Sequence, residues 1–446
     1  MELQFKPNTL ISKISNGHLE IKAPTFELTL KNLSSGISSA LLKLSTFCNE
    51  EHLAEEVMQA DGELSASHFY YYLELLKSKD LIIYKTPLLK LIPIKPISYA
   101  EKEFSTSFQL CPFALWRVKD GEIIIESPLA QALLIIQGNN GIHFFYALRK
   151  QSTFEELCKE FHHISSAHIQ KSLSLLVAVN LLSFEKDSSN LAKWEVHDLY
   201  FHSRSRIGRH NNPYGGTYHM RGIIPPEPCI KSCPSQTVIP LEMPKEKINL
   251  SLIDVMEKRK SIREHGKKPL TLSELSAFLF YSARVKNTQI VGDQEFSSRP
   301  YPGGGARYEL ELYLVIYHCD GIEKGAYHYH PLEHALYKIS ELTEDSEELL
   351  KGACSSSGKQ EYPQVLILMS ARFQRVFWKY QSMGYAVILK DVGVLIQTMY
   401  LTATALGLAP CALGGGDSDL FFKAFKTNYL EETSVGEFML GSRSPE

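Results

Sequence analysis

Between Arg299 and Tyr308 the chain reads RPYPGGGARY, with Gly303, Gly304 and Gly305 adjacent. Consecutive glycines reach backbone angles closed to other residues and leave their N–H groups unshielded, which suits close approach by a phosphate or a flat ring. No Gly-Lys-Ser/Thr follows, and the spacing is not GxGxxG, so neither nucleotide loop is present. A second run, CALGGGDSD, occupies 411–419. Upstream, Lys258 to Lys268 is markedly basic in a near-neutral chain. Arg259 and Arg263 are forked donors suited to phosphate, and Ser261 adds a hydroxyl. Two glycine runs and an Arg/Ser/Arg cluster fit a flat, phosphate-bearing cofactor. Three separate structural turns would give the same letters.

Lys379 and Tyr380 adjoin in SARFQRVFWKYQSMGYAV. An ammonium beside a phenol stabilises the phenolate, so the pair can serve as a base. Neighbours on a regular helix point about 100° apart, so cooperation requires an irregular backbone. A surface Lys beside a core-edge Tyr is the plain alternative. His328, His330 and His334 tempt toward metal, but a strand–turn–strand around HPLEH explains them equally and no further ligand completes a set, so none is expected. Of eight cysteines, only Cys229 and Cys233 lie close together. Without a second Cys/His pair at finger spacing, they read as incidental linker thiols.

The elements that must position these groups start with an amphipathic helix ending in KRKSIR. The next helix is capped by Thr271, with Glu274 completing a capping box. GVLIQTMYLTATALGLAP reads as a buried helix before the second glycine run. Further upstream, two stretches repeat. NGHLEIKAP (16–24) matches DGEIIIESP (120–128), each followed by an apolar run, a short acidic helix, a longer amphipathic helix, and a strand after a turn residue, Asp80 or Asn180. These are winged-helix-like units. Their second helices carry few Lys or Arg, which disfavours DNA and leaves peptide recognition or a structural role.

The boundaries read as unit 1 over 1–100, unit 2 over 101–192, an extended Pro- and Gly-rich connector over 193–247, and a catalytic domain over 248–446. With 44% apolar and 22% charged residues the chain is globular, and a net charge of −3 excludes a global field for nucleic acid or anionic membrane. No stretch reads as a signal peptide or bilayer span, so the expectation is a cytoplasmic protein.

RKSIREHGKKPLTLSELSAFLFYSA, SSRPYPGGGARYELELYLVIY, KGAYHYHPLEHAL and LGLAPCALGGGDSD, in this order, resemble the SagB-type dehydrogenases. These are FMN-dependent azoline oxidases of the nitroreductase superfamily, including cyanobactin and microcin-type thiazoline dehydrogenases. FHSRSRIGRHNNPYGGTY and the unit before it resemble the longer members. The resemblance implies an α+β fold: a C-terminal nitroreductase-like domain, an antiparallel sheet flanked by helices, preceded by the two winged-helix-like units. It implies FMN held by Arg259, Lys260, Ser261 and Arg263, with Arg443 completing the phosphate site. Pro302, Gly303, Gly304 and Gly305 would lie against one side of the ring, and Leu413, Gly414 and Gly415 against the other. Lys379 and Tyr380 correspond to the catalytic pair, Tyr380 taking the Cα proton while flavin N5 accepts the Cβ hydride and dioxygen reoxidises the flavin. Implied partners are a precursor peptide, whose leader the N-terminal units hold, the pathway's cyclodehydratase, and a second copy in a homodimer. Two departures stand out. Gly303 replaces a common Ser, and Val394 occupies a common His position. An NAD(P)H-dependent nitro- or quinone reductase and a non-catalytic peptide scaffold are the competing readings.

Overall fold

A computed structural model describes residues 1–14, 17–24, 26–184, 190–233, 235–245 and 248–444. Contacts divide the chain into Met1–Asn212 and Pro213–Glu446. The division falls inside the segment expected as a connector, whose expected end at 247 lies outside the described residues, as does Asn16 of the first repeat.

In the first unit the repeat is visible as geometry. Helices Ser35–Lys43, Glu50–Asp61 and Ser65–Ser78 recur as Gly138–Ala147, Phe154–Glu160 and Ser166–Ala178. Phe69, Leu73 and Leu76 bury one stripe of the third helix, and Ile169, Leu173 and Leu176 bury the equivalent stripe at the same spacing. Asp80 and Asn180 then turn the chain at φ 60° and 58°, a left-handed conformation that short polar side chains tolerate. Each repeat has three helices where the sequence suggested two. The extra one lies in the apolar run after the first strand, where the Ser34 hydroxyl caps Ser35–Lys43 by accepting from Ile37 N–H. Strands from both repeats join one antiparallel seven-stranded sheet, ordered Cys48–Asn49, Glu2–Phe5, Ile82–Lys85, Leu89–Pro93, Ala132–Ile136, Glu122–Glu126, Leu115–Lys119. A single core runs beneath it.

The second unit is built on another antiparallel seven-stranded sheet, ordered Val238–Pro240, Ala335–Ser340, Gly325–His330, Leu310–Ile316, Val365–Arg372, Glu432–Gly441, Ala409–Leu413. Its edge strand Val238–Pro240 comes from the expected connector, which also contributes helix Val196–Arg204 to the first unit. Period-two alternation divides the central strands between two cores. Leu310, Leu312 and Leu314 pack with helices Leu272–Ala283 and Gly384–Ala405, while Tyr313 and Val315 pack with Glu344–Ser357 and Ser418–Phe425. This is the antiparallel sheet flanked by helices that the motifs implied. The capping box is formed: Thr271 accepts from Glu274 N–H, and Glu274 reaches back to Thr271 N–H. One expectation needs correction. Gly384–Ala405 is, by length and composition, long and apolar enough to cross a membrane. The buried helix expected from Gly393 begins at Gly384, with Lys390 and Asp391 interrupting its apolar run, and half of its most apolar window is buried inside the domain.

Candidate active site

The first glycine run leaves strand Gln294–Ser298 and enters Leu310–Ile316. Gly303 is extended, and Gly305 is left-handed at φ 61°. Ala306 and Tyr308 are also left-handed, at φ 54° and 48°. Non-glycine residues hold such angles only under constraint, and two constraints are present. Gly304 N–H donates to Asp391 Oδ2 at 2.8 Å. Buried Arg307 donates from Nε to the Arg375 carbonyl at 2.8 Å, and buried Arg375 donates from Nε to the Arg307 carbonyl at 3.0 Å. The two guanidinium groups thereby clamp the loop to helix Phe373–Phe377, which leads into Trp378, Lys379 and Tyr380.

That helix ends before the Lys-Tyr pair. Tyr380–Gln381 is a short strand paired with Gly215–Gly216, and Tyr218 N–H donates to the Lys379 carbonyl at 3.0 Å. The irregular backbone removes the helical divergence, and both side chains converge on Gly305. A Cβ there would collide with the Tyr380 hydroxyl and lie 3.1 Å from Lys379 Nζ. Lys379 Nζ also stands 4.9 Å from the Tyr380 ring centre and 5.3 Å from that of Tyr218.

The basic segment is tied to the second glycine run. Ile262 N–H donates to the Pro410 carbonyl at 2.8 Å, and the Ser261 hydroxyl shares a 2.7 Å hydrogen bond with the Tyr400 hydroxyl. The Tyr400 oxygen accepts from Ala412 N–H at 2.8 Å, and the Arg259 guanidinium lies 5.2 Å over its ring. Burial raises the Cys411 thiol pKa, opposed in part by the charge of nearby exposed Arg263. Lys260 and Arg443 line one groove of about 640 Å³. Leu413 closes strand Ala409–Leu413, and Gly414 to Gly416 line a recess with Val392, Ile396 and Gly436.

One helix therefore serves all three motifs. Along Gly384–Ala405, Val387 and Asp391 lie beneath the first glycine run, Val392 and Ile396 face the second, and Tyr400 holds the basic segment. Val387 to Tyr400 spans about 20 Å at the helical rise. Among the expected residues, Arg259 and Ser261 reach Ala412, the residue before Leu413, Gly414 and Gly415, through Tyr400, while Gly305 meets Lys379 and Tyr380. Pro302 is exposed beside them. Val394 packs, partly buried, into the core.

Asp391, Tyr400, Arg307 and Arg375 were not singled out in the sequence. For Asp391 and Tyr400 the available signal was polar residues interrupting an otherwise apolar helix; Arg307 and Arg375 lie outside it. Asp391 also has a carboxyl neighbour. Burial first, and the Asp391 charge second, push Glu309 up to about 8. Asp391 is likewise raised by burial, against the hydrogen bond from Gly304. Two carboxyls so placed cannot both ionise cheaply, so the pair retains a proton near neutrality.

The family model for the cyanobactin oxidase ThcOx matches residues 108–211, and that for the nitroreductase family matches 256–441. A protein named as a nitroreductase, MJ1384 of Methanocaldococcus jannaschii, is 34% identical over 165 residues, covering 37% of this chain and 79% of that protein. The chain belongs to the nitroreductase family. The microcin B17-processing protein McbC of Escherichia coli is 31% identical over 116 residues, 25% of this chain and 42% of McbC. The trifolitoxin-processing protein TfxB of Rhizobium leguminosarum bv. trifolii is 30% identical over 153 residues, 32% of this chain and 41% of TfxB. The chain thus aligns with less than half the length of either processing protein. The resemblance to SagB-type peptide oxidases holds in both parts of the chain, with the ThcOx match falling on the second repeat and the segment after it.

Proposed function

We propose that the protein is an FMN-dependent dehydrogenase that oxidises azolines, thiazoline to thiazole, in a ribosomally made precursor peptide. The observation that carries this reading is the convergence of the Lys379 ammonium and the Tyr380 hydroxyl on Gly305, at a loop that Asp391 and the two arginines hold rigid. A nitro- or quinone reductase has no use for a paired base on the substrate side. The match to a cyanobactin oxidase model and the names of McbC and TfxB support a peptide substrate.

The residues fit FMN. Open space surrounds Gly414, and no atom comes within 4 Å of a Cβ built there. The cations Arg259, Lys260, Arg263 and Arg443 provide phosphate donors at one end of the helix that reaches both glycine runs. FMN, when bound, supplies the hydride acceptor for the Cβ–H bond. Tyr380 takes the Cα proton, which the flanking carbonyl and imine make acidic. Lys379 stabilises the charge left on the Tyr380 oxygen. Asp391 and Arg307 keep the loop from drifting, since small misplacements are costly in catalysis.

The N-terminal repeats, winged-helix-like in this proposal, bind the leader and raise the local concentration of each azoline. Strand Leu115–Lys119 is an edge of the first unit's sheet, with Trp116 42% and Val118 74% exposed, which suits addition of an extended peptide. The cyclodehydratase of the same pathway supplies the azoline. A homodimer is supported by helix Leu252–Lys258, whose Leu252, Ile253 and Met256 face outward at 64%, 66% and 51% exposure.

The test is to load the purified protein with FMN, add a leader-bearing thiazoline peptide and weigh the product. Loss of two hydrogens per ring is expected. Unchanged mass together with rapid steady-state NADH oxidation would replace this reading with the nitroreductase one. Failure to take up FMN would leave only a peptide-binding scaffold.

A further inference from the structure

A second constellation of reactive groups lies on the strands of the C-terminal sheet. Cys233 Sγ lies in close contact with His328 Nδ1, at 2.6 Å, and His328 Nε2 shares a 3.2 Å hydrogen bond with Glu311 Oε2. The carboxylate fixes the imidazole tautomer, leaving the Nδ1 lone pair for the thiol. Although burial alone would raise Glu311, His328, Arg299 and Arg372 hold it down to about 2, so it is charged. His328 is fully buried against the Tyr313 ring, 4.7 Å between ring centres. The order is nucleophile, base, orienting acid. The two cysteines read from the sequence as incidental are therefore not equivalent: Cys233 belongs to a built relay.

The thiol opens on a cavity of about 740 Å³ whose wall carries both signs of charge, Lys231, Arg372 and Lys426 against Glu227, Glu431 and Glu432. Lys231 is held there by Glu432 and by the Tyr313 hydroxyl at 2.6 Å. Burial, aided by Glu311, pushes the Cys233 thiol up to about 12. At rest it is therefore a neutral thiol donating to His328, and activation requires the imidazole to take its proton.

We propose that Cys233 is a nucleophilic thiol, with His328 as its general base and Glu311 as a positioning residue, and that it exchanges with small zwitterionic disulfides of the oxidised-glutathione class. His328 removes the thiol proton as the Cys233 sulfur attacks one sulfur of the disulfide. A new S–S bond forms while the old one breaks, and the departing thiolate takes the proton from the imidazolium. The Cys233 sulfur is oxidised, the leaving half is reduced, and no other reagent enters. The charge in this step leaves on sulfur, where Lys231 and protonated His328 can meet it. Arg372 is paired with Glu227 and Lys231 with Glu432, so Lys426 and Glu431 are the wall charges that would meet a ligand's carboxylate and ammonium. This site is independent of the azoline reading.

The experiment treats the full-length protein with oxidised glutathione at neutral pH, quenches with acid, and quantifies glutathionylation at each cysteine by peptide mass spectrometry. Cys233 is expected to react at least tenfold faster than half-buried Cys48 and Cys158, and about 100-fold slower in His328→Gln, with Cys48 unchanged as the internal control. A rate at Cys233 no greater than at Cys48, or unaltered by His328→Gln, overturns the proposal. Should that variant fail to fold, the wild type alone decides. The Cys233 rate in the folded chain must exceed its rate after unfolding in urea, and an equal or slower folded rate overturns the proposal as well.

Discussion

The two glycine runs use the same residue for opposite physical reasons. At Gly303 to Gly305 glycine makes room for the protein. A Cβ on Gly304 would strike Val387, and one on Gly305 the Tyr380 hydroxyl, at a left-handed φ of 61°. At Gly414 and Gly415 glycine leaves room for something else, since nothing lies within 4 Å of a Cβ at Gly414 and only Ser356 Oγ, at 3.9 Å, near one at Gly415. Gly416 is the exception, because the Glu437 carboxylate occupies the space its Cβ would need. One run is packed against protein side chains. The other faces open space, which is where the proposed reading puts the cofactor.

The largest expected effect tests the first run. Tyr380→Phe keeps the ring that packs at Gly305 and removes only the hydroxyl. Under the proposed mechanism, turnover of a thiazoline peptide falls by about 10²- to 10⁴-fold, the worth of a positioned general base. FMN affinity and thermal midpoint should stay at wild-type values. Retained turnover would sink the base assignment and leave the hydroxyl a packing feature.

Gly305→Ala comes next. The left-handed angle costs an L-residue about 1 kcal/mol or more, and the new methyl must displace the Tyr380 hydroxyl or the loop. A stability loss of about 1–3 kcal/mol in urea titration is expected, with activity reduced beyond what the unfolded fraction explains. An equally stable variant would mean the loop relaxes freely, and would remove the claim that Asp391 and the Arg307–Arg375 clamp hold it.

How much of this was legible depended on the range of the interaction. Capping by Thr271 and Glu274, and the turns at Asp80 and Asn180, are local, and the sequence displayed them. The repeat was readable because Phe69, Leu73, Leu76 and Ile169, Leu173, Leu176 keep one helical spacing. The contacts that join the motifs were not readable. Ser261 with Tyr400, Gly304 with Asp391, and Cys233 with His328 are separated by 139, 87 and 95 residues. No periodicity encodes which polar residue of a buried helix faces which distant loop. The Lys379–Tyr380 pair lay between these cases. Its neighbours were visible, but the helix end at Phe377 that lets both side chains converge is fixed by pairing with Gly215–Gly216.

A smaller effect reports on the carboxyls beneath the first run. Glu309 is raised to about 8 from an ordinary 4.5, so the folded state holds its proton more tightly than the unfolded one. Its contribution is therefore full below the unfolded pKa and is lost as pH rises through the window between the two values. Stability should decline across that window and level off above it. In Asp391→Asn the neighbouring charge is gone, the folded pKa drops toward the ordinary value, and the decline should shrink. An unchanged pH slope in urea midpoints would show that Asp391 does not act on Glu309.

The smallest structural effect is the sharpest test of the second run. Gly414→Ala adds a methyl where the protein offers no neighbour, and its backbone is not among those at positive φ. The variant should unfold within about 0.5 kcal/mol of wild type, as surface substitutions do. If Gly414 faces the bound cofactor, the same methyl weakens FMN binding, read by titrating the apoprotein and following the flavin's fluorescence. Unaltered affinity would place the cofactor elsewhere and reduce the second run to a turn. Weakened affinity with unaltered stability separates the two meanings of glycine, because a methyl that only the ligand resents has no cost until the ligand arrives.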